Sequence, residues 1–242
     1  MRADADAAGG LLQGSTTRVR VKVCCIASTD EADLAIDAGA DVLGLVSAMP
    51  SGPGPIPDSA IAAIVRHTGA RAATVLLTSR QNAAGIVEQV DRIRPTVVQL
   101  VDALGEGEIA ALRRSHAELV LMQVIHVRDG SAMDEAVRVA PFVDVILLDS
   151  GNPLAVVKEL GGTGRVHDWT ISRAIREAVP VPVFLAGGLK PDNVATGIGA
   201  VRPFGVDVCS GVRVNGRLDP RAVRAFIAAA RGAGAMHPVT HP

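Results

Sequence analysis

Aromatic side chains are almost missing from this chain, at 2% of 242 residues. A core without them must come from Val, Ile, Leu and Ala, a palette that suits a parallel sheet covered by helices. Cysteine is scarce too, with three residues at 24, 25 and 209. No C-x-x-C pair and no Cys/His ligand spacing occurs, which excludes a structural zinc site of the usual kind. Adjacent Cys24 and Cys25 on a strand point to opposite faces and cannot readily pair with each other. The simplest expectation is reduced thiols in a cytoplasmic protein. No apolar run reaches the roughly 18 residues of a membrane span. The Ala-, Gly- and Asp-rich stretch Met1–Thr17 lacks the apolar core of a signal peptide. The 24 Lys and Arg are scattered without a basic run, and the net charge is −1. No global field therefore draws the chain to nucleic acid or to a membrane surface.

What is present is an alternation. The chain is 48% hydrophobic, and eight short runs of Val, Ile and Leu are each followed by a helical pattern. The runs are Val19–Cys25, Asp41–Ser47, Ala72–Ser79, Thr96–Val101, Leu119–Val127, Asp144–Ser150, Val181–Gly187 and Phe204–Ser210. Ser28-Thr29-Asp30-Glu31 is a capping box, and Gly39 is the matching stop. Pro57-Asp58, Pro191-Asp192 and Asp219-Pro220 open further helices, while Gly69 and Gly232 close others. Eight βα units within residues 18–232 predict a single-domain (β/α)8 TIM barrel, with disordered tails over 1–17 and 233–242. A doubly wound sheet would need G-x-G-x-x-G after the first strand, where Cys24-Cys25-Ile26-Ala27-Ser28 stands instead. In a barrel, Cys24, Ser47, Gln99, Asp149, Gly187 and Ser210 would gather around one mouth.

That mouth carries the candidate chemistry. Asp149 ends the run Val145-Ile146-Leu147-Leu148. A carboxyl there is either a structural acceptor or, with its pKa raised by burial, a general acid. Cys24 is either a small buried residue or a base or nucleophile, if Lys22 favours its thiolate. Lys22 and Cys24 share one strand face, and a buried lysine needs a partner, which Asp207 or Asp41 could supply. Ala186-Gly187-Gly188 and Ser210-Gly211-Val212 follow strands seven and eight, the pair of loops where barrels often bind phosphate. Either turn alone could simply need positive φ. Gly161-Gly162-Thr163-Gly164 lies in the long connection from Gly151 to Asp168, an active-site lid or a solvated insertion. Asp168 before Trp169 reads as a helix N-cap.

Several stretches are recognisable together. Val21-Lys22-Val23-Cys24, Gly39-Ala40-Asp41-Val42-Leu43-Gly44 and Val98-Gln99-Leu100 come first, then Ile146-Leu147-Leu148-Asp149-Ser150 and Gly161-Gly162-Thr163-Gly164 with Asp168-Trp169. Leu185 to Val194 and Val206 to Val212 complete the set. In this order, over about residues 18–232, they resemble the phosphoribosylanthranilate isomerase family. The resemblance implies a barrel without cofactor or metal, a small-molecule phosphoribosyl substrate, and an Amadori rearrangement in tryptophan biosynthesis. Charge pattern and cysteine usage, as above, give the expectation of no nucleic-acid or membrane partner and of a cytoplasmic location; monomer and homodimer both stay open. Carried over by position, Asp149 would protonate the ribose ring oxygen and Cys24 would take the C2′ proton. Gly187, Gly188, Ser210 and Gly211 would hold the phosphate, with Lys22, Gln99, Gly162, Gly164 and Asp207 as further substrate-site positions.

This sequence also departs from that family. The lysine-hydrophobic-cysteine-glycine motif ends in Cys25, whose side chain strand alternation would point away from the mouth. The arginine expected after strand two, facing the anthranilate end of the substrate, falls near Pro53 within Ser51-Gly52-Pro53-Gly54-Pro55. The family's Gln-Leu-His-Gly is Gln99-Leu100-Val101-Asp102. Three outcomes therefore stand open from the sequence: the isomerase; a hydrolase on the same scaffold releasing an arylamine and ribose 5-phosphate; and a non-catalytic phosphoribosyl binder.

Overall fold

In the computed structural model, residues 18–151 and 166–236 are described. Eight strands form a closed parallel barrel in sequence order. They are β1 (Arg20–Val23), β2 (Val42–Val46), β3 (Ala73–Thr78), β4 (Val97–Leu100), β5 (Val120–His126), β6 (Val145–Asp149), β7 (Val183–Leu185) and β8 (Gly205–Val208). Each falls inside its expected run and is a few residues shorter, because the flanking residues already belong to the loops. The helices that follow them are α1 (Thr29–Asp37), α2 (Asp58–Thr68), α3 (Ala83–Ile93), α4 (Glu106–Ser115), α5 (Ser131–Val139), α6 (Trp169–Ala178), α7 (Val194–Val201) and α8 (Pro220–Met236). A two-stranded ribbon, β9 (Arg213–Val214) with β10 (Arg217–Leu218), sits between β8 and α8.

The helix signals act as caps. Ser28 Oγ accepts from the Glu31 N–H, while the Glu31 carboxylate accepts from the Ala27 N–H, the two halves of a capping box shifted by one residue. Asp168 accepts from the Thr170 N–H and Asp219 from the Ala222 N–H. Gly69 caps α2. Two expectations fail. Pro191-Asp192 forms a turn, not the helix start: Asn193 Oδ1 accepts from the Lys190 N–H, and α7 begins at Val194. Gly232 does not end the last helix either. α8 continues to Met236, so residues 233–236 are helical rather than tail. The reason is packing: Ala233 and Gly234 are buried, and a Cβ on Gly234 would sit 2.9 Å from Val19 Cγ2. Closing that face against β1 outweighs the roughly 1 kcal/mol that a helical glycine costs. The expected disordered tail over 1–17, the end from 237 to 242 and the candidate glycines Gly162 and Gly164 lie outside the described residues.

Alternation along the strands sorts the core. Val42, Val75, Val97, Val120, Met122, Val145, Leu147 and Phe184 form one cluster, filling the barrel interior. The opposite set, such as Val21, Val23, Leu43, Leu121, Ile146 and Leu148, packs under the helices. Phe184 is accommodated because Gly205 has no Cβ, which would lie 2.4 Å from its ring. The barrel closes between β1 and β8, where Lys22 pairs with Asp207 in register.

Candidate active site

Closure of the barrel brings the strand ends to one mouth. A cavity enclosing about 470 Å³, including its opening, is lined by Cys24, Gln99, Asp149 and Asp207, with Val46, Met49, Leu77 and Val101 on an apolar side. Cys25, Ser51, Gly52, Pro53 and Cys209 complete the wall.

Lys22 Nζ lies 3.0 Å from Asp207 Oδ2, across the β1–β8 seam and fully buried. Asp207 is thus the partner that the buried lysine required; Asp41 instead serves at the other end of the strands, held by Arg231, Arg18 and the Val21 N–H. Burial opposes the Lys22 charge, but Asp207 and Cys24 outweigh it and hold the ammonium above its ordinary pKa. Asp207 itself is pushed up by burial, only partly offset by Lys22. Removing either partner would strand a charge in the core, at a cost of about 3–5 kcal/mol.

Cys24 is a free, buried thiol next to this pair. The expectation that Lys22 would favour its thiolate is only partly met. Burial pushes the thiol up to about 11, and the pull of Lys22 does not overcome it. Gly44 on β2 is what lets this cluster form, since a Cβ there would sit 2.6 Å from Cys24 Sγ and 3.1 Å from Lys22 Nζ.

Asp149 faces the cavity from the end of β6, in register with His126 at the end of β5. Its Oδ1 accepts from the Ser150 N–H at 2.7 Å. Gln99 is buried, and its Oε1 has no hydrogen-bond partner among the described residues, which leaves an acceptor at the cavity wall.

The loops after β7 and β8 are interlocked. Gly187 and Gly188 have φ of 80° and 63°, and Asn193 donates its side-chain amide to the Gly188 carbonyl. A Cβ on Gly211 would lie 2.0 Å from the Leu189 carbonyl oxygen, so the two backbones touch only because residue 211 is glycine. Ser210–Val212 forms a single 3-10 turn.

Two features overturn the cysteine reading. Cys25 and Cys209 form a disulfide across a sequence separation of 184 residues, so these two are not reduced thiols here. Nor does Cys25 point away from the mouth. Its φ of 62° ends the extended backbone, so strand alternation no longer governs it, and it joins the cavity wall. Arg213 fastens this corner, donating to the Cys25 carbonyl and pairing with Glu31 at 2.9 Å. Pro53 and Val101, the two positions where the resemblance expected arginine and histidine, both line the cavity.

Sequence reasoning missed His167. It stands just before the Asp168 cap, and its Nε2 is 2.6 Å from Ser172 Oγ on α6.

Comparison with known proteins agrees with this layout. A family model described as N-(5'phosphoribosyl)anthranilate (PRA) isomerase matches residues 21–229. The N-(5'-phosphoribosyl)anthranilate isomerase 1 of Methanosarcina mazei is 31% identical over 233 residues, spanning 90% of this chain and 97% of that protein. The isomerase of Haloferax volcanii is 38% identical over 218 residues, spanning 88% and 94%. Among solved structures, phosphoribosyl anthranilate isomerase from Thermotoga maritima superposes with a TM-score of 0.75 at 29% identity, covering 88% of this chain and 99% of that one. A phosphoribosyl anthranilate isomerase in complex with reduced 1-(o-carboxyphenylamino)-1-deoxyribulose 5-phosphate gives 0.72 at 27% identity, with the same coverage. With the ordered motifs, the closed barrel and relatives matched over nearly their whole length, the chain belongs to the N-(5'-phosphoribosyl)anthranilate isomerase family.

Proposed function

We infer that this chain converts N-(5'-phosphoribosyl)anthranilate to the corresponding 1-amino-1-deoxyketose phosphate, an aldose–ketose isomerisation in tryptophan biosynthesis. The observation that carries the reading is that Cys24 from β1 and Asp149 from β6 line one cavity, beside the interlocked glycine turns after β7 and β8. Asp149 gives a proton to the furanose ring oxygen as the C1′–O bond breaks, leaving a Schiff base. Cys24, as thiolate beside Lys22, removes the proton at C2′, and the enolamine tautomerises to the ketose. With its pKa near 11, Cys24 is a thiol in most molecules at neutral pH, and the minor thiolate form is the reactive one. Lys22 supports it, and Asp207 holds Lys22 in place. No step needs a metal or a cofactor.

A hydrolase would need only ring opening followed by attack of water at C1′. A base beside C2′ serves isomerisation specifically, and the family assignment favours it. Incubation with phosphoribosylanthranilate and separation of products decides the matter. The ketose phosphate is expected; free anthranilate as the main product would sink the reading. We place the reaction in the cytoplasm on the strength of the biosynthetic reaction alone, since the Cys25–Cys209 disulfide removes the reduced-thiol argument; all the residues invoked come from one chain, so either a monomer or a homodimer can carry it.

The phosphate is placed against Gly187, Gly188, Ser210 and Gly211. Millimolar ribose 5-phosphate is expected to raise the melting temperature by mass action. Gly211→Val should abolish that rise, because its side chain must displace the Leu189 carbonyl and with it the glycine turn. A Gly211→Val protein that folds and keeps the full shift would place the phosphate elsewhere.

A further inference from the structure

Three features meet at the Cys25–Cys209 bond. The first is the backbone of Cys25. Its φ of 62° lies in the left-handed region, which a residue with a side chain keeps only where its surroundings hold it. The bond to Cys209 holds its side chain and Arg213 holds its carbonyl. The second is the loop after β2. Gly54, with φ of 87°, lies directly on Cys25: a Cβ there would sit 2.7 Å from Cys25 Cβ and 3.1 Å from Cys25 Sγ. The Pro53 carbonyl oxygen is 3.6 Å from the same sulfur. The third is the turn after β8. Cys209 immediately precedes Ser210–Val212, and the Val212 N–H donates to the Cys209 carbonyl at 3.4 Å. Cys25, Cys209 and Pro53 all line the cavity, so one covalent bond ties two of its walls together.

We propose that the Cys25–Cys209 bond is a positioning unit for the substrate, fixing the Pro53 loop and the Ser210–Val212 turn at one separation across the mouth. The inference rests on the reading of that turn as part of the phosphate site. A phosphoribosyl arylamine spans the cavity, with its phosphate at the turn and its arylamine end toward Pro53. Walls already set at the right spacing lose less freedom when such a ligand binds. A dithiol removes the restraint. Its thiolate attacks one sulfur of the bond to form a mixed disulfide, and its second thiolate then closes a cyclic disulfide. Two electrons and two protons pass from the dithiol to Cys25 and Cys209, which become thiols. Cys209 is half-buried at the cavity wall, within reach of a small dithiol. Two thiols cannot stay at bonding distance, so the sulfurs part, and the loop seated on Cys25 shifts with them. The catalytic pair is held independently. The Cys24 N–H donates to the Val208 carbonyl at 2.8 Å, and Asp149 belongs to β6. The effect therefore falls on binding.

The test compares the oxidised protein, the same protein treated with dithiothreitol, and Cys209→Ser, which keeps Cys25 but cannot form the bond. A thiol count in denaturant that rises from Cys24 alone to all three cysteines confirms opening. Reduction is expected to raise KM for phosphoribosylanthranilate about tenfold, the scale of one lost hydrogen bond to a charged group. A change confined to binding leaves kcat within about twofold. The affinity for ribose 5-phosphate, measured by calorimetry without turnover, should fall by a similar factor. Cys209→Ser should match the reduced wild type and no longer respond to the dithiol. Reoxidation of the wild type with cyclic oxidised dithiothreitol should restore both values. Equal KM and equal ribose 5-phosphate affinity in the open and closed forms would make the bond a brace of the fold only, and the proposal would fail. A fall in kcat with KM unmoved would overturn it too, since the effect would then lie on the catalytic pair. Where the dithiol leaves the bond intact, Cys209→Ser decides alone; where Cys209→Ser does not fold, the reduced wild type does. An oxidised protein that makes no ketose phosphate, yet binds ribose 5-phosphate more tightly than the reduced form, would defeat the proposed reaction and support the positioning role. No ribose 5-phosphate binding in either form would defeat both.

Discussion

Asp149→Asn is expected to lose at least about 100-fold in kcat while still binding phosphate. The substitution preserves shape, and the amide oxygen can still accept from the Ser150 N–H that Asp149 Oδ1 engages at 2.7 Å. What it removes is the acidic proton. Ring opening has no other carboxyl so placed among the described residues, since Asp207 is tied to Lys22 at the barrel seam. Thermal protection by ribose 5-phosphate should survive, because the glycine turns after β7 and β8 are untouched. Normal turnover would move the acid to another residue. A protein that no longer folds would make Asp149 a structural acceptor.

Cys24→Ser is expected to cost ketose formation about 10²–10⁴-fold, the range attributed to a positioned base. A serine hydroxyl fits the space beside Gly44 but hardly ionises. The effect should fall on the proton transfer at C2′, so ring opening, followed through release of arylamine, should suffer less. The same residue has a signature in the wild type. Alkylation of Cys24 by iodoacetamide should quicken with rising pH toward about 11, as the thiolate forms against the cost of burial. Near-normal ketose production by Cys24→Ser would end its assignment as the base.

The barrel is legible in the sequence because strands covered on both faces read as continuous apolar runs, and eight of them recur at βα spacing. Their C-terminal ends converge by construction, which is why the amino-acid sequence is enough to pair Cys24 with Asp149. Contacts made by closure or by missing side chains are not legible in this way. Cys209 becomes a neighbour of Cys25 only when β8 returns to β1. The expectation for Cys25 also relies on an extended backbone, and its φ of 62° removes that premise. His167 Nδ1 and Asp149 Oδ1 both border the space left by the missing side chain of Gly187, a relation that no local pattern encodes. The last turns of α8 are hidden for a similar reason: Gly232 reads as a stop, yet Gly234 is a point of close approach to Val19.

The Cys25–Cys209 bond has a topological consequence. It joins the loops that follow the first and last strands of the barrel covalently, so the chain between them becomes a closed ring from which residues before 25 and after 209 extend as two arms. A single backbone cut anywhere in that ring, including the connection between β6 and α6, opens it without dividing the molecule. Such a nicked protein would keep its original mass on a non-reducing gel and part into two pieces only when a thiol is added.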